Sequence, residues 1–166
     1  MGQSVVKLIK LLQLVQFEQM ALAMRGEKHL LEYDPSKLYQ QFERGLSAVQ
    51  TIEDGLVIIG HATLWPLVGE WYELGSLWTN PANRGHGLCA ALMHKLLPTQ
   101  KQVMLTTTNP AVWHLSEKLG MKWVLFHDLP NTVHQATCVC KSHKINGCTD
   151  QMTCPFKDKE CRCYVK

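Results

Sequence analysis

Charge is scarce in this sequence. Only 19% of its 166 residues are Asp, Glu, Lys or Arg, below the roughly one quarter usual for soluble domains. The formal net charge of +3 sits at one end: from Lys141 onward six basic residues face three acidic ones, and the rest is balanced. A broad nucleic-acid-binding field is therefore not expected. Long apolar runs are missing too. Lys7, Lys10 and Glu18 interrupt the N-terminal one, so neither a signal-peptide core nor a spanning helix of about 20 residues is expected there. The start Met1-Gly2-Gln3-Ser4-Val5-Val6 places Val6 where a myristoylation site needs Ser or Thr. No repeat or low-complexity tract occurs. These absences together predict a soluble, cytoplasmic protein with no membrane or nucleic-acid partner.

What is present suffices for one core. With 46% apolar residues, the length suits a single globular domain over residues 1–141 with a small appendage over 142–166. Apolar residues at Val5, Leu8, Leu11, Leu12, Val15, Met20 and Met24 recur with helical period and predict a core-facing helix. Asp34-Pro35-Ser36 offers an N-cap with proline at the first helical position, opening a second helix to Leu46. Ser47–Ile52 and Leu56–Trp65, parted by Glu53-Asp54-Gly55, read as a hairpin. Trp71–Thr79 reads as a third strand, with Glu73, Leu77 and Thr79 on one face and Leu74, Ser76 and Trp78 on the other.

Further on, a helix is expected from Leu88 to the residues before Pro98, a buried strand over Gln102–Thr107, and a helix capped by Asn109-Pro110 and ended by Gly120. Trp123–His127 and Val133–Cys140 are expected as two closing strands. The fold class is thus α/β (α+β): a mixed, mostly antiparallel central sheet flanked by helices, with a short cysteine-rich appendage.

The chemistry concentrates in Arg84-Gly85-His86-Gly87-Leu88-Cys89. Two glycines remove the Cβ atoms that keep a bulky anion from the backbone, and the next helix offers unpaired amides and its positive dipole end. Phosphate oxygens are the expected guest. Arg84 adds a charge-assisted contact or stands as an exposed arginine; His86 contacts phosphate or faces solvent. Gly85-x-Gly87-x-x-Ala90 also fits a dinucleotide fingerprint, but the window Leu105–Val112 holds no Asp or Glu for the ribose.

At these residues the chain resembles the GNAT superfamily of acetyl-CoA-dependent N-acyltransferases. The family loop, Gln/Arg-x-x-Gly-x-Gly/Ala, is matched by Arg84 through Leu88, with Cys89 at the last small position. A second family helix, N-x-x-A-x-x-L-Y-x-K-L-G-F, is matched by Asn109, Leu115, Lys118, Leu119 and Gly120. Val112, Ser116 and Met121 take the Ala, Tyr and Phe positions. The family's first strand has no clear counterpart.

The resemblance implies acetyl-CoA as co-substrate, held along its pantetheine arm by backbone groups of Leu77, Trp78 and Thr79, with Arg84, Gly85, His86, Gly87, Leu88, Cys89 and Asn109 completing the cofactor set. A small-molecule or protein amine would attack the thioester directly. Glu73 is the candidate base, against the reading of a solvated strand carboxylate. Ser116 stands where many members place the acid for the leaving thiolate, against that of a helix-surface residue; without an acid, water serves. Cys89 stands on the first turn of a helix, where a dipole-lowered thiol and a covalent acyl-cysteine route are one reading and packing against the cofactor is the favoured one. His61 and His114 read as ordinary strand and helix residues, and the five tryptophans as core before acceptor cage.

Outside the resemblance, Cys138-x-Cys140 and Cys161-x-Cys163 are spaced to converge on a tetrahedral zinc ion, with Cys148, Cys154 and His143 as alternative ligands. Disulfides and unligated thiols are the other two readings. A non-catalytic acyl-CoA-binding or metal-stabilised interaction module is the alternative to the enzyme.

Overall fold

A computed structural model describes residues 3–30, 33–52, 54–137, 143–144, 147–148 and 160–166, with the backbone alone for 3–5, 143–144 and 147–148. In chain order the elements are α1 (Gln3–Met24), α2 (Pro35–Glu43), β1 (Ser47–Ile52), β2 (Val57–Pro66), β3 (Trp71–Thr79), α3 (Leu88–Leu96), β4 (Gln102–Thr107), α4 (Pro110–Lys118), β5 (Lys122–Val124), α5 (Asn131–Thr137), β6 (His143–Lys144), β7 (Gly147–Cys148) and β8 (Arg162–Val165). Six strands form a mixed sheet in the order β1-β2-β3-β4-β8-β5, and β6 and β7 form a separate ribbon. The β1–β2, β4–β8 and β5–β8 pairs are antiparallel, and β3–β4 is parallel. No helix among the described residues is long and apolar enough to cross a membrane.

The chain divides into two compact units, residues 1–63 with 76–96, and residues 64–75 with 97–166. In the first, the Asp34 carboxylate accepts from the Ser36 amide at 2.8 Å and fixes the start of α2. Helix α1 buries Phe17, Met20, Ala21 and Met24. The Phe17 ring lies edge-on to Tyr39 and His61, with centroids 5.6 and 5.8 Å away. The expected core stripe of α1 holds at Met20 and Met24 but not before them: Leu8, Leu11, Leu12 and Val15 are exposed, because α1 is covered on the face of Phe17.

A buried polar chain threads this unit. Ser47 and Thr63 share a hydroxyl contact at 2.8 Å, Thr63 meets His61 Nε2 at 3.0 Å, and His61 Nδ1 meets the Ser76 carbonyl at 3.1 Å. Burial holds the His61 imidazole down at about 4, against the opposing pull of the Ser76 carbonyl. A neutral ring with the proton on Nδ1 donates to that carbonyl and accepts from Thr63. His61 is thus a buried structural link. Ser76 itself has φ 49°, a left-handed residue inside a strand.

In the second unit Met104, Phe126, Leu129, Val133 and Cys163 form the core. Two expectations change here. Val133–Cys140 is not a strand: residues 131–137 are helical, with Val133 and His134 amides bonded to the Pro130 carbonyl, and residues 138–140 lie outside the described ones. Trp123–His127 shortens to β5 followed by a 3-10 turn at Phe126–Asp128. One strand of the mixed sheet comes from the expected appendage: β8 pairs Met104↔Val165 through Thr107↔Arg162 on one side and Lys122↔Val165 through Val124↔Cys163 on the other.

Candidate active site

In the first unit β3 leads into the glycine loop through a short 3-10 turn, Pro81–Asn83, whose start is capped by Asn80 Oδ1 accepting from the Ala82 amide at 3.1 Å. The Asn80 amide bonds the Ile59 carbonyl at 2.8 Å, fixing where the loop leaves the sheet. Gly85 and Gly87 adopt φ 83° and 75°, and a Cβ at either would meet no atom within 4 Å. Glycine is required by the backbone angle, and the space beside the backbone is open. Helix α3 begins at Leu88, and its first carbonyl partner is Gly87, bonded by the Ala91 amide at 3.0 Å. The amides ahead of Ala91 therefore have no partner within the helix, as an anion cradle needs.

Arg84 faces away from a purely phosphate role. Its Nε donates to the Thr79 carbonyl at 3.1 Å, and its guanidinium pairs with the Glu27 carboxylate. The residue pins the base of the loop to β3. His86 is exposed, with Nδ1 3.3 Å from the Asn83 carbonyl. At Cys89 burial outweighs the helix dipole and pushes the thiol up to about 11, which agrees with the packing role and not with a nucleophile at neutral pH. Leu77 and Thr79 are half-buried, and Trp78 is buried.

In the second unit the β3–β4 ladder covers only Trp71↔Gln102, Tyr72↔Val103 and Glu73↔Met104, within strands of nine and six residues. Glu73 stands at its last rung. Its Oε1 accepts a 2.7 Å hydrogen bond from Thr106 Oγ1. Burial pushes the Glu73 carboxyl up to about 7, the Thr106 hydroxyl opposing it. A carboxyl poised there exchanges protons at physiological pH. Thr106 was not singled out from the sequence, although it lies two residues past Met104 on the strand facing Glu73, within diagonal reach across a ladder.

Asn109 caps α4, its Oδ1 accepting from the Ala111 amide at 3.0 Å. Ser116 is buried, and its hydroxyl donates to the Val112 carbonyl one turn back at 2.8 Å. That proton is already committed. Of the tryptophans, Trp78 is buried, Trp113 donates to the Thr107 carbonyl at 2.9 Å, and Trp123 is half-exposed. Cys163 is packed in the apolar core of this unit, and Cys161 is partly exposed. Cys138, Cys140 and Cys154 lie outside the described residues, as does the Cys148 side chain. Among the described residues no group of three ligating side chains converges.

A family model, "Acetyltransferase (GNAT) family", matches residues 13–121. The chain belongs to the acetyltransferase (GNAT) family, and its class is N-acetyltransferase. No curated protein matches its sequence significantly. Among solved structures it is similar to Rv2747 from Mycobacterium tuberculosis in complex with CoA, at TM-score 0.63 and 17% identity, covering 92% of this chain and 93% of that one. N-acetylglutamate synthase from Neisseria gonorrhoeae, complexed with coenzyme A and N-acetyl-glutamate, gives TM-score 0.62 and 13% identity over 90% of this chain and 31% of that one. The putative acetyltransferase yncA from Salmonella typhimurium, with acetyl-CoA, gives 0.58 and 18% over 94% and 87%. At these identities the likeness is one of fold.

Proposed function

We propose that this protein transfers the acetyl group of acetyl-CoA to a primary amine by direct attack, with Glu73 as the base. The observation that carries the reading is the loop of two left-handed glycines beside open space at the start of α3, within the stretch that matches the family. Backbone amides there suit the pyrophosphate, since Arg84 already has its charge met by Glu27. Acetyl-CoA supplies an activated thioester, and the side chains need only position the amine and remove its proton. Glu73, half-neutralised near pH 7, takes that proton as the nitrogen bonds to the carbonyl carbon and the carbon–sulfur bond breaks. Thr106 holds one carboxylate oxygen and leaves the other for the amine.

The departing thiolate takes its proton from water, and Ser116 has no step. Ser116→Ala is expected to keep kcat within about twofold, because a hydroxyl bonded to its own helix is not offered to a substrate; a hundredfold loss would restore it to the mechanism. A small-molecule amine is the favoured acceptor class, in keeping with the N-acetyl-glutamate held by the Neisseria structure. A cytoplasmic setting suits a chain with seven cysteines if these remain reduced. The test is release of free CoA from acetyl-CoA across a panel of amino acids, polyamines and peptide N-termini. Turnover with at least one amine is expected, and tight acetyl-CoA binding with none turned over would make the chain a binding module.

A further inference from the structure

A cavity of about 100 Å³ lies within the first unit, between the second half of α1, the start of β2 and the residues that close β3. Its inner wall includes Met20, Ile58 and Trp78, which are 2%, 6% and 3% exposed. Gln19 and Ala23, both exposed, stand at its mouth, so a molecule from solvent can enter. Among the described residues, none that lines it is charged. Two of its carboxamides are already engaged: Gln16 Nε2 donates to the Gly55 carbonyl at 2.9 Å, and Asn80 Oδ1 accepts from the Ala82 amide at 3.1 Å. The indole of Trp78 differs from these. Its Nε1–H is buried and has no acceptor among the described residues. A buried donor left in that state is costly, and a buried tryptophan ordinarily sets this group against a partner.

We infer that this cavity binds a short uncharged amide, whose carbonyl oxygen accepts from the Trp78 indole. The wall sets the class. An ion would lose its water with no opposite charge to meet it, and a hydrocarbon would leave the indole N–H as it is. Water alone meets the indole but gives nothing to the apolar wall. An amide brings a carbonyl for the indole, an N–H for the Gln19 carboxamide oxygen, and methyl groups for Met20, Val57 and Ile58. Size agrees: a cavity of roughly 150 Å³ takes benzene, so one somewhat smaller takes about four or five non-hydrogen atoms, as many as an N-acetyl group with or without one further carbon. That group is also what the proposed reaction makes. A role in sensing product rests on the function proposed above, whereas binding of the amide does not.

The probe is N-methylacetamide, added to the isotope-labelled full chain, with the five indole N–H resonances as the readout. Trp78→Phe identifies the Trp78 resonance by its loss. That resonance is expected to shift and saturate with a Kd on the order of 1–10 mM, within reach of so small a ligand, while the other indoles stay nearly still. Methylammonium and acetate, small but charged, are expected to leave it in place. Ala23→Leu, at an exposed helical position that leucine suits, is expected to fill the mouth and weaken binding at least about tenfold with the fold retained. A Trp78 resonance that does not saturate by about 200 mM, or that saturates equally in Ala23→Leu, overturns the proposal and leaves the cavity to water. A saturating shift in a protein that acetylates no amine would uphold the site and remove only its role toward product.

Discussion

Glu73→Gln is expected to lower kcat/KM about a hundredfold to a thousandfold with acetyl-CoA binding unchanged, the range for loss of a positioned base. In the wild type the reaction needs the carboxylate, so kcat/KM should rise as pH increases through about 7; the variant should lack that limb. Stability should move the opposite way. Burial pushes the folded carboxyl up to about 7, above its ordinary value of 4.5. The native state therefore holds a proton that the unfolded chain releases between these values, and stability falls as pH rises through that window. Gln removes the buried charge and can still accept from Thr106. At pH 8 the variant should be more stable by on the order of 1–2 kcal/mol, after discounting for a partly exposed site. Near pH 4.5 the gain should vanish. Thermal melts at both pH values read this directly. A variant that is inactive and also less stable at pH 8 would mark Glu73 as structural.

The second large effect belongs to the loop. Gly87→Val forces a β-branched residue to φ 75°, a strain of about 1–3 kcal/mol, and puts methyl groups into the space beside the amides. Acetyl-CoA affinity should fall about a hundredfold. Gly69 provides the control. It has φ 59° and an equally open Cβ position, in the turn before β3, so Gly69→Val carries similar strain without touching the loop. Isothermal titration should separate them: weak binding in the first, near-normal binding in the second. Equal losses would mean that strain alone, rather than a filled cradle, weakens binding.

Local signals were most legible where a cap or a strand pattern acts by itself. Asp34-Pro35 and Asn109-Pro110 start their helices as expected, and Trp71–Thr79 and Gln102–Thr107 have the expected bounds. The left-handed turn at Gly85 and Gly87 was legible because two glycines with positive φ depend on their own backbone. What failed depended on distant partners. Periodicity shows that α1 has apolar stripes but not which of them finds a core. Thr132, Val133 and Thr137 favour a strand by propensity, yet Pro130 begins a helix and Val133 is buried in it. Ser116 was rightly placed on a helix, but its inward orientation is set by packing. The bond between Glu73 and Thr106 was not legible, since it joins two strands whose pairing no local pattern reveals.

Strand β8 also bears on the order of events in folding. It lies between β4 and β5, antiparallel to both, yet it follows β5 only after residues 125–161. Until it docks, β4 and β5 share no ladder, and closing the sheet means joining positions as far apart as Met104 and Val165. The cysteine-bearing stretch is therefore the loop whose closure stands between a half-built sheet and a finished one. Its length weighs lightly on the outcome, since halving such a loop changes the closing step by only about 0.6 kcal/mol. The chain can carry a long excursion at this point because the sheet asks only that its far end return in register.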